Sequence, residues 1–129
     1  MSRVRAEAVI ASVMAAASMI GWPVAALAAP GPDDGEVVFR QRCQICHVLE
    51  PGKPATMGPN LHGVVNRRAG ATAFRYSDAL KQSNLTWTTA NLDRFLAAPS
   101  KMMPGTRMVN GVPDPDQRRA LIAYLARSR

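Results

Sequence analysis

The chain has 129 residues, with 16 Lys+Arg against 9 Asp+Glu and a formal charge of +7. That length excludes two ordinary domains. A single charge-free run of 21 residues, Val9 to Ala29, excludes a polytopic membrane protein, and two cysteines allow at most one disulfide.

Arg3 and Arg5 precede the apolar run, which finishes in Ala25-Ala26-Leu27-Ala28-Ala29. A basic start, an apolar middle and an Ala-x-Ala end predict a secretory signal peptide over residues 1–28, cleaved after Ala28, and one exported domain over 29–129. An uncleaved anchor is the competing reading, opposed by the run's Ala-rich composition and by Gly21, Trp22 and Pro23 near its end. Loss of Arg3, Arg5 and Glu7 leaves 14 Lys+Arg against 8 Asp+Glu, or +6.

In the remaining chain, Asp33 or Asp34 is placed to cap a helix from about Gly35 into the Cys43 region, with Val38 and Phe39 on the same face as the cysteines. Ser77 to Gln82 suits a short helical turn. A further helix starts near Thr88 or Thr89, presents Leu92, Phe95 and Leu96, and stops at Pro99. Pro113-Asp114-Pro115-Asp116 opens a last helix through about Arg127, with Leu121, Ile122, Tyr124 and Leu125 as its apolar face. No alternating strand pattern appears, so the domain is predicted all-α and loop-rich. Its large aromatics are few (Phe39, Phe74, Phe95, Tyr76, Tyr124 and Trp87), and a core this thin needs a staple or a bound group.

Cys43-Gln44-Ile45-Cys46-His47 supplies the group. A disulfide suits an exported chain, although the spacing argues against it. A thioredoxin-like redox pair needs a βαβ sheet that the sequence does not offer. Zinc would have two thiolates, His47 and only the distant His62, an irregular set. Covalent haem explains every position: Cys43 and Cys46 add across the two vinyl groups, and His47 is held beneath the iron. The other axial position has His62, Met57, Met102, Met103 and Met108 as candidates. A thioether there favours reduced iron and closes the site, a second imidazole closes it at lower potential, and an open position admits small ligands.

Gly58-Pro59-Asn60-Leu61-His62-Gly63, Pro104-Gly105-Thr106-Arg107-Met108 and Ile122-Ala123-Tyr124-Leu125 resemble the class I cytochromes c, in order from about Gly35 to Tyr124. The likeness is to the soluble mitochondrial and bacterial type. It implies a small, loop-rich, all-α fold of about four helices around one covalent haem c. It also implies Met108 as the sixth ligand, with Met102 and Met103 lining the haem edge and His62 outside the ligand set. By the same resemblance, the carbonyl of Pro59 accepts the free N–H of His47, and Arg67, Tyr76, Trp87 and Thr106 lie at the haem propionates. Gly35, Phe39 and Tyr124 match the crossing of first and last helices. Three residues depart from the pattern: Phe95 for a tyrosine, Leu80 for an asparagine and Asn110 for a phenylalanine.

The resemblance implies a monomeric, periplasmic one-electron carrier rather than an enzyme. Lys53, Arg68, Arg75, Lys81, Lys101 and Arg107 are expected around the haem opening, where they would meet acidic patches on redox complexes. Those complexes would be a membrane quinol–cytochrome c oxidoreductase as donor and a terminal oxidase, reaction centre or peroxidase as acceptor. Nucleic acid is not an expected partner of an exported chain. Two other readings compete: a ligand sensor or peroxidase-like protein whose Met108 dissociates, and a haem subunit bound permanently in a dehydrogenase.

Overall fold

The computed structural model describes residues 32–129. The expected signal peptide, 1–28, lies outside the described residues. Five helices follow in order: α1 (Pro32–Arg42), α2 (Asp78–Gln82), α3 (Thr89–Ala97), α4 (Pro99–Met102) and α5 (Pro115–Arg127). None is long and apolar enough to cross a membrane.

The helix starts follow local chemistry. Ser77, Thr88 and Asp114 each cap a helix by accepting a backbone N–H three residues on, from Leu80, Asn91 and Gln117. α1 differs from expectation, because it already begins at Pro32. Asp33 and Asp34 therefore stand in its first turn rather than at the cap, and there the negative charge of Asp34 still favours the helix dipole. The fourth helix, α4, was also unforeseen. Pro99 stops α3 as expected, but a proline without an N–H is equally suited to begin a helix. The chain swings through an extended Ala98 (φ −158°) and resumes as α4.

α1 and α5 cross at close range, and the rings of Phe39 and Tyr124 lie 5.9 Å apart beside the crossing. α5 also packs on α3, which buries Leu92, Phe95 and Leu96. Leu121 on α5 is 0 % exposed and sits at the centre of the core. Among the described residues the only β pairing is an isolated bridge between Arg68 and Thr86. Flanking bonds from Trp87 N–H to Arg67 C=O (2.8 Å) and from Ala69 N–H to Leu85 C=O (2.7 Å) fasten these two segments together. Asn66 (φ 65°) and Asn84 (φ 51°) make the tight left-handed turns beside them, a conformation asparagine tolerates better than most residues.

Candidate functional site

The end of α1 does not stop cleanly. Cys43 N–H still bonds to Phe39 C=O (2.8 Å), and His47 N–H bonds to Cys43 C=O (2.9 Å). The Cys43–His47 segment thus winds as tight turns. It places Cys43, Cys46 and His47 on the wall of a cavity holding about 1150 Å³ of atom-free space, its open mouth included. The rest of the wall is mainly hydrocarbon, including Leu61, Val64, Leu80, Phe95, Leu96 and Leu121.

Both cysteines are free thiols. Burial pushes the Cys43 thiol up to about 11, opposed by the charge of Arg42 and reinforced by Cys46. A thiol held protonated is a poor redox nucleophile. Among the described residues no three His, Cys, Asp or Glu side chains converge to hold a metal by themselves.

The imidazole of His47 is fixed from behind. Its Nδ1 lies 2.8 Å from the Pro59 carbonyl oxygen, so a proton on Nδ1 is donated there and Nε2 is left free to coordinate a metal. Gly58 gives the ring its space, since a Cβ at that position would stand 2.7 Å from Nδ1 and 2.9 Å from Nε2. Burial holds His47 below the ordinary imidazole range, while its bond to Pro59 partly opposes the shift. A neutral imidazole is what iron requires.

The carbonyl bearing this load is itself braced. Asn60 Nδ2 donates to Glu50 C=O (2.8 Å) and Lys53 C=O (2.9 Å), and its Oδ1 accepts from His62 N–H (2.8 Å). Arg67 donates to the carbonyls of His62 (2.8 Å) and Asn60 (2.9 Å) while lining the cavity. Tyr76 and Trp87 are buried in the same wall, with the Tyr76 hydroxyl bonded to Thr72. Thr106 also lines the cavity, and its Oγ1 accepts the Met108 N–H at 3.3 Å.

Of the five candidates for the second axial position, Met57 and Met108 line the cavity and His62 does not. Met57 adjoins Gly58, whose backbone abuts the His47 ring, so it stands on the histidine side and is 72 % exposed. Met108 comes from the separate loop between α4 and α5. Met103 is buried in the hydrophobic core and Met102 packs against that core, and neither is among the residues lining the cavity.

The basic residues divide similarly. Arg68, Arg75 and Arg107 line the cavity, whereas Lys53, Lys81 and Lys101 do not. Lys53 pairs with Glu50 and Lys81 with Asp78. Arg107 is exposed but anchored, donating to the carbonyls of Arg75 and Tyr76 at 3.1 Å each. Asn60 and Arg118 were missed as structural determinants. Arg118 was detectable as a charge on the α5 stripe otherwise formed by Leu121, Ile122 and Leu125.

The family model described as Cytochrome c matches residues 32–128. The chain belongs to the cytochrome c family. It is 45 % identical over 107 residues to cytochrome c2 of Rhodomicrobium vannielii, covering 81 % of this chain and 85 % of that protein. It is also 45 % identical over 97 residues to cytochrome c2 of Rhodoblastus acidophilus, covering 74 % of this chain and 90 % of the relative. The solved structure of cytochrome cH from Methylobacterium extorquens superimposes with a TM-score of 0.68 at 43 % identity, covering 74 % of this chain and 96 % of that one. As a cytochrome c, the protein is an electron carrier rather than an enzyme, and its cofactor is covalent haem c. The two-thiol, one-imidazole wall of a largely apolar cavity fits that group.

Proposed function

We propose that this cytochrome c is an exported, soluble, monomeric carrier of one electron in the periplasm. Residues 1–28 serve as its cleaved signal peptide and 29–129 as its haem domain. Cys43 and Cys46 carry the two thioethers, and His47 and Met108 are the axial ligands. The observation that carries this reading is the convergence of Cys43, Cys46, His47 and Met108 on one cavity, with His47 held on the Pro59 carbonyl.

The bound haem supplies iron that cycles between ferrous and ferric states. The chain's work is to hold that site unchanged through the cycle. The Pro59 carbonyl fixes the His47 ring and raises its basicity. Leu80 and Phe95 keep hydrocarbon in the wall and limit the entry of water. Arg67, Tyr76, Trp87 and Thr106 provide the polar and cationic groups that buried propionates need. Arg75 and Arg107 at the mouth favour acidic docking patches on a quinol–cytochrome c oxidoreductase and on a terminal oxidase, reaction centre or peroxidase.

The test is an absorption spectrum of the oxidised holoprotein followed by potentiometric titration. Iron–methionine ligation gives a weak band at ~695 nm, and a single one-electron wave is expected. No such band, together with ready binding of carbon monoxide by the reduced protein, would indicate a sensor or peroxidase-like protein instead.

A further inference from the structure

Arg118 occupies a place where α5 should present hydrocarbon. It lies in the stripe with Leu121, Ile122 and Leu125 and is 9 % exposed. A guanidinium is tolerated there only if its N–H groups are satisfied. Its Nε donates to Asp93 Oδ1 on α3 at 2.8 Å, and its Nη1 donates to the carbonyls of Val112 (3.0 Å) and Pro113 (2.6 Å).

The same short segment is held from the opposite side. Val112 N–H donates to Leu96 C=O on α3 at 2.7 Å, and a Cβ on Gly111 would approach Pro99 Cδ to 2.9 Å. Residues 111–113 are therefore clamped between α3 and α5. Only Val109 and Asn110, both exposed, separate this clamp from Met108. Three residues span at most ~11 Å, so the clamp limits how far Met108 can travel. Releasing it would lengthen the mobile tether towards Asp114 and increase the states open to the loop.

We propose that Arg118 is a positioning residue for Met108, one that restricts departure of the thioether from the iron by anchoring the downstream end of its loop. This rests on Met108 being the sixth ligand. The role differs from ordinary core stabilisation because it acts on a local opening rather than on global unfolding.

The test is imidazole titration of ferric holoprotein, followed at the ~695 nm iron–methionine band. Imidazole binds the fraction of molecules in which Met108 has left, so its apparent affinity rises in proportion to that fraction. Arg118→Leu should bind imidazole about tenfold more tightly or better. Arg118→Lys, which keeps the charge but not the fork of donors, should fall between it and wild type. Asp93→Asn should give a smaller rise. Phe39→Leu, at the α1–α5 crossing, should lower the denaturant midpoint without changing imidazole affinity.

Unchanged affinity in Arg118→Leu, or an equal rise in Phe39→Leu, would overturn the proposal. Should Arg118→Leu fail to yield holoprotein, a flat series across Arg118→Lys and Asp93→Asn would overturn it equally. A wild-type protein lacking the band, or Met108→Ala retaining it, would instead defeat the ligation reading on which the proposal stands.

Discussion

Gly35 on α1 leaves no room between itself and Tyr124 on α5: a Cβ there would stand 2.6 Å from the Tyr124 Cβ and 2.7 Å from the Ala120 carbonyl carbon. The obstruction includes backbone, which cannot rotate aside. Gly35→Ala gains helix propensity of about 0.5–1 kcal/mol, yet overpacking costs about 1–3 kcal/mol. The net effect should be destabilising, with a Tm lower by several degrees. Thermal unfolding of the holoprotein measures it, and an unchanged Tm would mean that the helices separate without penalty.

Cys43 and Cys46 lie on one cavity wall, where the proposed thioethers would form at each independently. Either single Cys→Ala variant should retain haem through one thioether, and the double variant should lose all covalent haem. Haem staining after denaturing electrophoresis decides this, because only covalently held haem survives the gel.

Replacing the Met108 thioether with an imidazole should lower the reduction potential, since the softer ligand favours ferrous iron. Met108→His is the variant, measured by potentiometric titration. Met102→Leu and Met103→Leu exchange side chains of similar volume and should cost under about 1.5 kcal/mol each while leaving the spectrum unchanged. Loss of the ~695 nm band in either would assign ligation to α4 instead of the following loop.

Stability should fall with acid in two windows. Burial holds His47 below its ordinary 6.5, so below that pH the unfolded chain takes up a proton that the folded chain refuses. The associated stability is present above 6.5 and declines as pH drops towards the folded value, a trend that iron on Nε2 would strengthen. A second loss begins lower, below the ordinary carboxyl values of 4.5 and 3.8. Backbone N–H groups of Glu50 and Leu49 stabilise the Glu50 carboxylate, and Lys81 does so for Asp78. Denaturant midpoints measured from pH 8 to pH 3 should show both. A midpoint flat between pH 7 and pH 5 would mean that His47 is not held neutral.

Association with an acidic redox partner should slow as salt rises, because exposed charges lose most of their reach beyond ~10 Å at 0.1 M. Arg75 is the best reversal site, being exposed and in the cavity wall. Arg107→Glu should also slow association, but it breaks two bonds to backbone carbonyls and so confounds charge with loop position. Lys101→Glu, off the cavity wall, should have a smaller effect, and Arg129→Glu, two residues past the end of α5, should have little. Equal losses at Arg75 and Arg129 in second-order kinetics would reduce the basic balance to a matter of solubility.

Much of the framework was legible because its signals are local. Thr88 and Asp114 cap helices by reaching three residues ahead, and Pro99 cannot continue one. The Cys43–His47 spacing is a property of five consecutive residues. What escaped sequence reading depends on distant partners. Nothing near Arg118 shows that Asp93 and two loop carbonyls will meet it. The same holds for Met103, which is buried among core residues from distant segments such as Phe39 and Leu121. Arg107 was expected at the haem opening, but its bonds to carbonyls of a segment about thirty residues earlier leave no local signal.

The meeting of α1 with α5 has a consequence for the order of events during maturation. The helix leading into both thiols gains its main packing partner only from the far end of the sequence, and joining such distant segments must overcome the entropy of the intervening chain. Until α5 docks, Leu121 and Leu125 are absent from the cavity wall. Cys43, buried in the closed fold, is reachable in the open chain. Haem attachment at Cys43, as proposed, would therefore precede docking of the last helix, which closes the cavity behind it.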